Sequence, residues 1–146
     1  MNDHGRRIVI ESGFETAVDE ANRAILGEGM QTIARIDVRD SFERDLGRDF
    51  RRYVLLETWS PDLAFDGLRH DLDAGTIFPA TFAIYELADG ETAIMAKPLA
   101  PVAVQPEWRR HSPGLARIAD LESERVARVL DRLQHVSAGA HAAPAA

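Results

Sequence analysis

The spacing of hydrophobic and polar positions changes several times along the chain, and each change marks an element. Arg6 to Glu11, RRIVIE, has the short apolar centre of a strand. Phe14, Val18, Ala21 and Ile25 then recur at helical spacing, while Glu15, Asp19 and Arg23 fall on other faces, which predicts an amphipathic helix. Ser12 with Glu15 three residues on fits a capping box at its start. Gly27 and Gly29 end it, because glycine takes positive φ without a Cβ clash. A phosphate loop would precede a helix, and this glycine pair follows one.

Met30 to Asp37 predicts a second strand, and Val38, Phe42 and Leu46 predict two helical turns that stop at Gly47. Tyr53 to Thr58 is a third strand. Ser60-Pro61 then supplies a cap and a proline at the first helical position, with Ala64, Leu68 and Leu72 as the inner face of a short helix. Two β-rich runs follow, TFAIYEL and ETAIMAK, joined by Ala88-Asp89-Gly90, and Asp-Gly is a strong hairpin signal. Three prolines between Pro98 and Pro106 exclude a regular helix there and predict a surface connection. A long helix begins near Ser112-Pro113 and carries Leu115, Ile118, Val126, Val129 and Leu133 at helical spacing. The small residues Ser137 to Ala146 predict a flexible tail, which leaves residues 1–136 as one domain.

This order predicts an α+β fold: strand, helix, four strands interrupted by short helices, then a helix, with the helices on one face of a mainly antiparallel sheet. One strand resists that layout. Tyr53 and Leu55 point one way and Val54 and Leu56 the other, so both faces of the sheet need cover and the helices supply too little. A homodimer that uses the second face or an edge is the expected answer.

Composition narrows the function. At 146 residues, 45% hydrophobic and 28% charged, the chain has the balance of an ordinary globular domain. No apolar run approaches a membrane span, and the apolar patch after Arg6-Arg7 is too short for a signal peptide, so a cytoplasmic location is expected. A net charge of -7 opposes nucleic-acid binding, which needs a surplus of lysine and arginine on one face. The absence of cysteine removes disulfides and thiolate chemistry.

Taken together, EGMQTIARIDV, DLGRDFRRYVLLE, SPDLAF, FPATFAIYE and KPLA fall in an order that resembles the domain-of-unknown-function-302 family of small bacterial and archaeal proteins. The resemblance runs from about Gly13 to Leu133. It implies an architecture similar to one TATA-binding-protein repeat and compact, often dimeric members with no agreed activity. The likeness to a DNA binder does not transfer, since fold does not set function and the charge is wrong.

Chemical motifs are sparse. The histidines at 4, 70, 111, 135 and 141 share no ligand spacing, and His70 to Gly75 reads better as a helix exit than as a calcium loop, so no metal and no cofactor are expected. Serine has no nucleophile-elbow context. Glu57 and Asp62 form the one carboxylate pair worth weighing, against a plain strand end and a first-turn acid. Glu57 and Trp59 share a face of the third strand, and Lys97 ends the last. The three either line a pocket that takes a small amphipathic or anionic molecule, or mark where the core meets water. Two functions follow: a non-enzymatic binding or interaction module acting as a homodimer, with no catalytic residues, or a small enzyme built around Glu57, Trp59 and Lys97.

Overall fold

A computed structural model describes residues 5–88, 90–97 and 112–142. The strands are β1 (Arg6–Ile10), β2 (Gln31–Asp37), β3 (Tyr53–Trp59), β4 (Ala80–Ala88) and β5 (Glu91–Ala96), with burial alternating along β3 and the first part of β4. The helices are α1 (Phe14–Gly27), α2 (Val38–Leu46), α3 (Pro61–His70) and α4 (Pro113–Ala142), and a 3-10 turn covers Leu72–Thr76. All neighbouring strands run antiparallel in the order β1-β5-β4-β3-β2, so β4 is central and the first strand pairs with the last. The α+β class and the element order match the sequence expectation, and the order is compatible with the TATA-binding-protein-like topology. The proline-spaced connection from Pro98 to Pro106 and residue Asp89 lie outside the described residues.

The core lies between one sheet face and helices α1, α3 and α4. Ile8, Ile10, Val54, Leu56, Phe82, Ile84 and Ile94 are buried, and Val18, Ala21, Ile25, Leu115, Val126, Leu130 and Leu133 meet them from the helices. Alanines at 17, 21 and 24 let α1 approach closely. Two turn glycines behave as their positions predicted. Gly29 (φ 76°) lets Met30 N–H return to the Ile25 carbonyl, and Gly47 (φ 61°) closes α2 through the Glu43 carbonyl. The β4–β5 hairpin closes on Gly90 (φ 79°) with Ala88 opposite Glu91.

Local details depart from the sequence reading. Gly13, not Ser12, is the N-cap of α1, and no side chain caps that end. Ser60 is the N-cap of α3, yet its hydroxyl makes no cap bond. Leu72, expected on the inner face of α3, lies in the 3-10 turn with 86% of its surface exposed. Asp71 takes that site's cap role by accepting the Asp73 N–H. Helix α4 continues from Ser137 to Ala142, through residues expected as tail, because alanine needs little help to stay helical.

Phe82 sits at the middle of the central strand and is fully buried. Phe82→Ala is expected to cost about 3 to 5 kcal/mol, as deep aromatic truncations do. Urea denaturation checks it: the midpoint falls while the slope stays constant.

Candidate functional site

The face of the sheet turned away from α1, α3 and α4 is ordered in rows by the strand register. Arg7, Met95, Ala83, Leu55 and Ile36 form one row across all five strands. Val9, Ala93, Tyr85 and Tyr53 form the next, with the two tyrosine rings stacked at 5.2 Å. That aromatic contact continues through Phe50 to Phe42 on α2. A third row holds Ala34, Glu57 and Thr81, and the β4–β5 register carried one residue further sets Lys97 beside Thr81.

This face is apolar along its middle and charged along one margin. Val9 is 44% exposed and Ile36 42%, and Leu55, Ala83 and Met95 between them are half-buried. Along the margin, Thr81 Oγ1 donates to both Glu57 carboxylate oxygens, at 3.0 and 2.9 Å. Glu57 and Lys97 flank Thr81 on strands to either side, about 10 Å apart at the backbone. Lys97 is exposed. Trp59, opposite Gln31 at the end of β3, is half-buried and packs against the core cluster.

The sequence residues therefore divide. Glu57 and Lys97 share a row, and Trp59 stands one row beyond Glu57. Asp62 goes elsewhere: it sits in the first turn of α3 and is held by Arg125 Nη1 and Nη2 at 2.9 and 3.0 Å. Those hydrogen bonds hold the Asp62 carboxyl below its ordinary pKa. Glu57 and Asp62 thus engage different partners, Thr81 on the sheet and Arg125 on α4.

The strongest electrostatics lie on the helix side, at residues that local spacing could not join. Glu28, the C-cap residue of α1, is clamped by Arg128 Nε at 2.8 Å and Arg132 Nε at 2.6 Å. The Arg128 hydrogen bond is the main reason its carboxyl titrates low. Glu122 of α4 is wholly buried, and its Oε1 accepts the Ser60 N–H at 2.9 Å. This carboxylate, reaching from another helix, satisfies the backbone N–H of the α3 N-cap residue. Glu122 Oε2 and Ser60 Oγ are left without partners. Burial pushes the Glu122 pKa up, against the opposite pull of Ser60 and Arg125.

Among the described residues no three His, Cys, Asp or Glu side chains gather as a metal site. No helix among them is long and apolar enough to cross a membrane. A cavity of 340 Å³ beside Phe14, Asp37, Asp40, Glu43 and Arg52 is lined mainly by charge, and a larger groove lies between α1 and α4. Neither includes Glu57, Trp59 or Lys97.

Residues 7–133 match the family model Domain of unknown function DUF302. No curated protein matches the chain. The chain is similar to the crystal structure of an uncharacterized conserved DUF302 protein from Bacillus stearothermophilus, with a TM-score of 0.73 at 25% identity over 90% of this chain and 99% of that one.

Glu122 supplies a pH test. Its folded-state pKa is raised, so the native state holds the proton more tightly than the unfolded chain does. Its contribution is therefore fully present below the unfolded value near 4.5 and is lost as pH rises through the folded one. Glu122→Gln keeps an acceptor for Ser60 N–H and removes this slope, so it should match or exceed wild-type stability at neutral pH and lose that advantage in acid. Glu122→Leu strands the Ser60 N–H and should cost about 1 to 3 kcal/mol. Thermal melts of the three proteins across the acid range check both outcomes.

Proposed function

The chain belongs to the domain-of-unknown-function-302 family, and from that premise we propose that it is a non-enzymatic binding and interaction module that works as a homodimer through its open sheet face. The observation that carries this reading is self-complementarity. Strand β4 is central, and Glu57 and Lys97 stand one strand to either side of it in one row. A two-fold axis parallel to β4 exchanges the two sides. Glu57 then meets Lys97 of the partner subunit twice, and Leu55 meets the partner's Met95 across Ala83.

Size supports the same reading. Five strands at about 4.8 Å and six residues at about 3.3 Å give a face of roughly 24 by 20 Å. With side-chain relief, that approaches the ~800 Å² per partner of a standard interface. A sheet pair about 10 Å apart leaves room for Leu55 and Met95 to interdigitate. Trp59 is then a rim residue beside the charged row, an aromatic body with one edge in water.

The enzyme alternative has less behind it. The carboxylates whose titration is displaced, Glu28, Asp62 and Glu122, belong to the helix layer, and on the open face it is Tyr53 that is displaced, raised by burial and by Tyr85 beside it.

Charge exchange tests the interface. Light scattering should give a dimer for wild type at micromolar concentration. Glu57→Lys and Lys97→Glu should each weaken it at least tenfold by setting like charges together, and the double exchange should restore it. Leu55→Glu should yield a folded monomer. A monomeric wild type, or a double variant no better than either single, overturns the reading.

A further inference from the structure

The groove between α1 and the second half of α4 has a volume of about 660 Å³, inside the ~300 to 1,000 Å³ range of small-molecule sites. Its floor is apolar: Ala24 from α1, with Leu133 and Val136 from α4. Its walls carry Arg23, Arg128 and Arg132.

The arginines are held without being used up. Arg128 and Arg132 grip Glu28 through Nε, at 2.8 and 2.6 Å, and Arg132 Nη2 also reaches the Gly27 carbonyl at 3.3 Å. Among the described residues the terminal nitrogens of Arg128 donate no hydrogen bond, and Nη1 of Arg132 lies against Gly27 without an acceptor. Each side chain is about half exposed, at 50% and 53%, whereas Glu28 beneath them is only 11% exposed. Glu28 thus anchors two guanidinium groups and offers little of its own charge to solvent.

Two other acids line the groove. Asp131 is held by Arg6 at 2.6 Å, and Glu20 is half-buried. Arg23, exposed on α1, adds a third cation at the opposite wall. Three guanidinium groups, balanced by the carboxylates of Glu20, Glu28 and Asp131, thus gather over an apolar floor. Spare planar donors beside apolar surface fit a carboxylate head with a hydrocarbon body.

We propose that this groove binds a small amphipathic carboxylate, its head on the free nitrogens of Arg128 and Arg132 and its body along Ala24, Leu133 and Val136. The site is separate from the sheet face. None of the residues of the proposed dimer lines it, so either idea can fail alone.

Octanoate is the probe, with octanol and octylamine as matched controls, in titration calorimetry on the full chain. Octanoate should bind wild type with one site per chain, at least tenfold tighter than octanol, and octylamine should not bind. Arg128→Gln and Arg132→Gln should each weaken octanoate about 10- to 100-fold, as the loss of a charge-assisted hydrogen bond does. Val136→Asp, at a half-exposed position, should weaken it at least tenfold without touching the clamp. Thermal melts confirm that each variant is folded, and Arg23→Gln, outside the clamp, should weaken octanoate to a smaller degree. Absence of binding at millimolar octanoate, equal affinity in wild type and both clamp variants, or equal affinity for octanol overturns the proposal. A groove variant that changes the oligomeric state assigns the groove to a second copy and overturns it too.

Discussion

A strand that is apolar on both sides cannot be satisfied by one layer of helices, and β3 imposes that constraint on the whole molecule. Val54 and Leu56 are spent on the core with Phe82, Ile84 and Ile94. Leu55 and Tyr53 are left on the other face, where Met95, Ala83, Val9 and Tyr85 join them through the register. Burial of apolar area is the main favourable term in folding and association alike, so the same alternation that builds the core leaves a second apolar surface. The fold and its proposed interface are two results of one sequence pattern.

Helix α4 is the spine of the other face. Its buried residues close the core, and its arginines reach outward to tie separate elements together: Arg125 to Asp62 on α3, and Arg128 and Arg132 to Glu28 at the end of α1. In the reverse direction Asp131 and Gln134 receive Arg6 from β1. Each surface pair alone adds little, but pairs that share a residue act as a network. Glu122 differs in kind. Buried and half-satisfied, it costs desolvation, and it accepts the backbone N–H of Ser60 at the N-cap of α3.

Elements were legible where their signals are local. The four-three-four spacing from Phe14 to Ile25, the glycines at 29 and 47, and the Asp-Gly hairpin each report on a few neighbouring residues, and each element stands where its signal lies. Caps were less legible. Ser12 and Ser60 have the right residue type, but whether a hydroxyl bends onto its own helix depends on what else competes for the space. Leu72 went astray because helical period alone cannot tell that α3 ends at His70 and yields to a 3-10 turn. The Glu28 clamp could not be read at all, since its partners lie about a hundred residues away and only the packing of α4 on α1 joins them. For the candidate site, strand alternation was enough to group Glu57 with Trp59. Placing Lys97 in the Glu57 row needed the register of two further strand pairs.

The irregularity in β2 between Thr32 and Ala34 has a consequence for growth. An edge strand with an unbroken row of free amides and carbonyls invites another chain to add to it, and then another, without limit. Here β2 is an edge, and its shift in register turns that row out of line. At the opposite edge, β1 spans only Arg6 to Ile10. Among the described residues neither rim offers a long flat template, so the sheet is poorly suited to extend sideways into a fibre. In the proposed dimer, copies that meet face to face about a two-fold axis exhaust their contact in a single pairing, and such an assembly stops there.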